Sequence, residues 1–219
     1  MDIVRLCFAR RGNQVGESQK YGTRRQKAKA ETRRVILETA YSLFEKKGYQ
    51  KTTMRELAAK AGVGLGTIFQ HFPEKSSLMV AAFEEDMEAE VDRAFASLPD
   101  SGIRDQLIHF SRRFYSWYAK RPQLFRVLLT EIAFAKDDTE KRIYTLVFRF
   151  WGRLEALFQK AMERGEISPK VDTSKAVMAF WAYYSFALFF GLRMPEFDTE
   201  YVLGVFQELM DQHLDGIKA

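Results

Sequence analysis

Cysteine is nearly missing: Cys7 stands alone in a chain of 219 residues. An intrachain disulfide framework is therefore excluded, which fits a reducing, cytoplasmic setting. No base accompanies Cys7 in a recognisable pattern, so a thiol nucleophile is not expected. The three histidines, His71, His109 and His213, lie far apart in sequence and give no metal-ligand spacing. Neither HExxH nor GxSxG occurs, and the Gly-x-Gly at 64–66 lacks the preceding strand that a phosphate loop needs. The chain is thus read as a non-enzyme with no cofactor and no metal. Alternating strand patterns are also missing, and no repeat or low-complexity segment occurs; the expected class is all-α. Residues 1–12 have a short apolar run followed by arginines, which is not the order of a signal peptide.

Charge is present but unevenly placed. Residues 20–75 hold 13 Lys and Arg against 5 Asp and Glu, a net of +8, whereas residues 76–219 hold 18 against 22, a net of −4. Positive potential gathered in one segment is the footprint of a polyanionic partner, although a solvated basic surface is the plainer alternative. Residues 1–27 read as a flexible tail punctuated by glycines. Arg24, Arg25, Lys27 and Lys29 near its end are suited to phosphates or a minor groove, or only to non-specific attraction.

The same basic segment contains TMRELAAKAGVGLGTIFQHF at 53–72. Thr53 and Glu56 are spaced as a capping box, in which each side chain satisfies a free backbone N–H at a helix start. Met54, Leu57, Ala58 and Ala61 recur at helical spacing, and Gly62 stops the helix because glycine enters the left-handed region cheaply. Val63 fills the corner. A second short helix is expected over 64–71, with Ile68 and Phe72 inward and Leu65, Gly66, Thr67, Phe69, Gln70 and His71 mostly outward. That outward set suits duplex DNA: Thr67 for a phosphate or thymine methyl, Gln70 for adenine, His71 for a phosphate. Lys75 and the N–H groups after Pro73 are placed to hold a further phosphate. An ordinary helical hairpin would share much of this pattern.

Taken together, KTTMRELAAKAGV (51–63), GLGTIFQHF (64–72) and Lys75, with Ile36–Ala40, Leu43, Phe44 and Lys47–Tyr49 upstream, closely resemble the DNA-binding domain of TetR-family transcriptional regulators. The resemblance covers about 45 residues. It implies a three-helix DNA-binding domain over 28–74, and DNA contacts at Thr53, Arg55, Leu65, Gly66, Thr67, Phe69, Gln70, His71 and Lys75. Two positions depart from the family pattern. Phe69 stands where a phosphate-bonding Tyr is common, and Gly64 stands where Ser usually caps the recognition helix. Gly64 and Gly66 each lower helix propensity by about 1 kcal/mol relative to Ala, so a loose recognition helix is expected without DNA.

The rest reads as a helical domain over 75–219. Pro73 and Glu74 open a long helix with a stripe of Met79, Val80, Phe83, Met87, Val91 and Phe95 or Leu98. Further helices are expected at 103–120, 122–135, 138–164, 172–191 and 199–214. Residues 176–192 carry no charge, but the run is short for a membrane span and contains Tyr183, Tyr184 and Ser185; a dimer helix is the better reading. Val177, Trp181, Tyr184 and Leu188 would face their own subunit. The resemblance implies a homodimer through the last two helices, and a two-fold protein binds a palindromic operator in double-stranded DNA. It also implies a repressor whose C-terminal domain binds an inducer. The aromatic richness points to a small apolar or aromatic effector, with His109, Phe114, Trp117, Phe125, Phe148, Trp151 and Trp181 as candidate contacts. An architectural or partner-recruiting protein of the same fold is the alternative.

Overall fold

The computed structural model describes residues 24–218, which are all-α: nine helices and no strand among the described residues. They are α1 (Arg24–Lys47), α2 (Met54–Ala61), α3 (Leu65–His71), α4 (Lys75–Ala96), α5 (Ile103–Ala119), α6 (Pro122–Ala133), α7 (Asp137–Glu163), α8 (Thr173–Arg193) and α9 (Thr199–Ile217). Helix bounds follow the sequence reading closely, with one correction. Residues 24–27, expected in the tail, form the first turn of α1. The remainder of the expected tail, 1–23, lies outside the described residues.

Two compact units divide between Arg34 and Val35. In the first, the helical residues 24–34 carry a surface pair, Arg34 to Glu31 at 2.6 Å, and Thr32 Oγ1 donates to the Ala28 carbonyl at 2.9 Å. The second unit holds everything from Val35 onward. Here Ile36, Ala40, Leu43 and Phe44 of α1 are buried at one-turn spacing and pack with Leu57, Ala58 and Ile68.

Aromatic side chains fill the C-terminal bundle. Phe110 and Phe114 of α5 stack at 4.7 Å between ring centroids, and Phe180 and Tyr184 of α8 stack at 5.8 Å. Phe206 of α9 closes edge-on against Phe180 at 5.7 Å. Tyr115 is fully buried, yet its hydroxyl donates to the Tyr184 carbonyl at 3.0 Å, so no polar atom is stranded there. Burying each such ring stabilises the fold by about 2 to 3 kcal/mol. Gly191 sets the closeness of α8 to α9: a Cβ there would lie 2.2 Å from Val202 Cγ2. Caps fix the starts of these helices. Asp172 accepts from the Lys175 N–H, and Asp198 accepts from Glu200 and Tyr201 N–H groups.

Helix α8 is long and apolar enough to cross a membrane by length and composition, but 44% of its apolar window is buried within this fold. Val177, Tyr184 and Leu188 face inward as expected, with Trp181 half-buried. The opposite face is left open: Met178, Phe186, Phe189 and Phe190 are exposed, joined by Tyr201 of α9. Phe190 stacks on Phe186 at 6.4 Å and on Tyr201 at 6.2 Å.

Candidate DNA interface and ligand cavity

Two short helices and a tight corner form the basic surface. Thr53 Oγ1 accepts the Glu56 N–H at 3.2 Å and starts α2. The reciprocal half of the capping box is replaced: the Glu56 carboxylate takes Lys47 Nζ at 2.6 Å and ties α2 to the end of α1. Gly62 sits at φ 67, in the left-handed region, and turns the chain into α3. Ile68 and Phe72 are buried, so the recognition helix is anchored by one face. Leu65, Gly66, Phe69 and Gln70 are exposed, Thr67 and His71 half-buried, and Arg55 and Thr53 exposed on the α2 side. Gly64 caps α3 without a side-chain hydrogen bond. All the sequence-predicted DNA residues except Lys75 therefore present themselves on α2 and α3.

Lys75 differs. Its ammonium donates to the carbonyls of Tyr49 at 2.9 Å and Thr52 at 3.1 Å, and lies 4.1 Å from the Tyr49 ring centroid. Burial lowers its pKa, with the nearby Glu131 charge opposing. Lys75 thus clamps the turn after α1 to the start of α4.

Helix α4 carries six carboxylates, and five of them, all but the exposed Glu85, meet a partner on a different element. Asp86 accepts from the Tyr41 hydroxyl at 2.6 Å; Arg121 donates to the same hydroxyl at 3.1 Å and pairs with Glu45 at 2.5 Å, linking α1, α4 and the start of α6. Burial, then Asp86, pushes the Tyr41 hydroxyl up to about 12. Glu90 is buried between Arg93 and Arg113, at 2.8 and 3.0 Å, which fixes α4 to α5. Toward α7, Glu84 pairs with Arg142, Glu88 with Arg149 and Asp92 with Arg153, one pair per turn of α4. The helix that leaves the recognition unit is thereby laced to three others.

Beside this ladder lies a cavity of about 230 Å³. Phe110, Phe114, Tyr118, Phe150, Trp181 and Tyr184 supply an aromatic lining, Met87 and Val91 belong to α4, and the only charges are the Glu88–Arg149 and Asp92–Arg153 pairs. The Tyr184 hydroxyl approaches that of Tyr118 at 3.4 Å. Burial pushes the Tyr118 hydroxyl up to about 12, so it stays protonated in neutral solution.

Of the candidate effector contacts, Phe114 and Trp181 line this cavity. Trp117 and Phe125 are instead buried against each other at 4.4 Å, and Phe148 is exposed on the outer side of α7. Trp151 packs behind Trp181 at 6.4 Å. His109 Nε2 meets Ser97 Oγ at 2.9 Å, away from the lining, and burial followed by Arg113 lowers its pKa. Phe110, Tyr118, Phe150 and the two ion pairs also line the cavity and are not among those candidate contacts. The signal for the pairs was the four-residue spacing of Glu84, Glu88 and Asp92. Among the described residues, no group of three or more His, Cys, Asp or Glu could hold a metal ion.

Residues 36–82 match the family model described as bacterial regulatory proteins, tetR family. Residues 36–82 are a TetR-family domain. The chain is a DNA-binding transcriptional regulator, and the match spans the helices that carry the exposed face of α3. The chain is 28% identical over 168 residues to the HTH-type transcriptional regulator AcrR of Shigella flexneri, covering 71% of this chain and 75% of that one. It is 27% identical over 204 residues to the HTH-type transcriptional regulator TtgR of Pseudomonas putida, covering 89% and 96%. Among solved structures, a TetR-family transcriptional regulator from Pectobacterium atrosepticum has the same fold, with a TM-score of 0.68 at 20% identity over 90% of this chain and 98% of that one. The transcriptional regulator FadR from Bacillus subtilis, solved in complex with stearoyl-CoA, superposes with a TM-score of 0.64 at 17% identity, covering 84% and 98%.

Proposed function

We propose that this regulator is a cytoplasmic repressor that binds a palindromic operator as a homodimer and is released by a small apolar effector seated beside α4. The observation that carries this reading is the double role of α4, which follows α3 after only three residues and also walls the aromatic cavity. A ligand that changes the position of α4 changes the spacing of two recognition helices, and spacing is what a two-fold operator measures. The exposed apolar face of α8, with Tyr201 of α9, supplies the dimer surface; an unpartnered patch of this kind marks an association site.

On DNA, Thr67 and Gln70 read base edges, while Arg55, His71 and the backbone at the start of α3 hold phosphates. The structural neighbour FadR was solved with stearoyl-CoA, and the present cavity is lined mostly by apolar side chains. Competition binding on duplex DNA tests the division of labour. Thr67→Ala and Gln70→Ala should reduce the preference for the operator over random duplex while leaving random-duplex affinity in place. Equal losses on both DNAs would contradict the assignment.

A further inference from the structure

The charged part of the cavity lining is not symmetric in what it can give up. Arg153 lies with its guanidinium carbon 4.0 Å from the Phe95 ring centroid, and Phe95 packs on the lining residues Phe110 and Phe150 at 5.3 and 6.2 Å. Its partner Asp92 is short and 75% exposed, against 38% for the Arg153 side chain. Asp92 can therefore rotate into water at small cost, because an exposed pair contributes little. Arg153 is held by the ring and stays. The cavity lining also offers a donor. The Tyr118 hydroxyl receives from Tyr184 and keeps its own proton to donate, so a ligand that brings an acceptor satisfies it.

We propose that the effector is an apolar molecule ending in a carboxylate, and that this carboxylate takes Arg153 in place of Asp92. This rests on the reading of the cavity as the effector site. Carboxylate and guanidinium form a forked, charge-assisted pair, stronger beside an apolar lining than the water-exposed pair it replaces. The exchange removes one rung between α4 and α7, so occupancy is felt by the helix that follows the recognition helix.

Calorimetry with decanoate, decanol and decylamine separates the head group from the tail, each used below its micelle-forming concentration. Decanoate should bind wild type about tenfold more tightly than either of the others. Arg153→Gln should erase that preference, bringing decanoate down to the affinity of decanol, with a cooperative thermal transition showing that the variant is folded. Asp92→Asn, which removes the internal competitor, should tighten decanoate binding. Equal binding of decanoate and decanol by wild type overturns the head-group assignment, with the cavity still standing if Val91→Trp abolishes both. Tightest binding of decylamine, weakened by Asp92→Asn, overturns it with the opposite sign. If none of the three binds, or Val91→Trp changes nothing, the cavity reading fails and the head-group assignment goes with it.

Discussion

Phe69 is 46% exposed on the recognition helix and ends in a ring edge where the family commonly offers a hydroxyl. Phe69→Tyr should therefore add one phosphate hydrogen bond and raise affinity for all duplexes by about 1 kcal/mol, roughly fivefold, as measured by fluorescence anisotropy. An unchanged affinity would show that this ring does not approach the backbone. Lys75 leads to the reverse expectation. Its ammonium is committed to two carbonyls and a ring, so Lys75→Met should lower thermal stability by about 1 to 2 kcal/mol and leave the salt slope of DNA binding unaltered. Arg55, which is exposed, should give the contrasting result: Arg55→Ala reduces that slope by about one unit. Lys75 shows what sequence could not reveal. Its distance along the chain from Tyr49 hides the fact that the turn after α1 folds back over it. Trp117 and Tyr118 show the same limit within the cavity. They are adjacent in sequence and both touch Phe125, yet a rotation of about 100° brings only Tyr118 to the lining.

At the level of elements, the helices themselves were legible because their boundaries are chemical. Thr53, Asp172 and Asp198 cap, Gly62 turns, and Pro122 opens a first turn; each acts over a few residues. Which helices touch was not legible, since the α4–α7 ladder depends on side chains 58 and 61 positions apart. The Glu88–Arg149 and Asp92–Arg153 rungs are exposed and weak alone, and only Glu84–Arg142 is part-buried, so the ladder acts as a setting of α4 more than as a source of stability. The combined variant Glu84→Gln, Glu88→Gln, Asp92→Asn should cost only about 1 to 2 kcal/mol of stability in urea unfolding. Its operator affinity should change far more than that cost would suggest, because α4 would lose its register against α7. A variant with unaltered operator affinity would show that α4 is positioned by its apolar face and Glu90 alone.

For the whole molecule, the open face of α8 is the decisive surface. Phe186→Glu with Phe190→Glu places two charges on it without disturbing the buried face. Sedimentation should then report a monomer, with operator affinity reduced by at least tenfold because each half-site is held singly. A dimer that persists would move the interface elsewhere. Stability should also respond to acid in a defined direction. Burial lowers the pKa of both His109, aided by Arg113, and His213, so the unfolded chain binds protons more readily than the folded one. The stability they contribute is present above the ordinary histidine range, near pH 6.5, and is lost as the pH falls through their lower folded values. Thermal midpoints should drop between about pH 7 and pH 5, and the double variant His109→Gln, His213→Gln should flatten that part of the profile.

Selection of binding sites from a random duplex pool asks whether two copies of α3 read DNA together. A two-fold reader enriches an inverted repeat whose half-sites are centred about one helical turn, roughly 34 Å, or a multiple of it apart. Wild type should yield a defined base at the position that Gln70→Ala leaves degenerate. Recovery of sequences without two-fold symmetry, or of no preferred sequence at low salt, would contradict that joint reading.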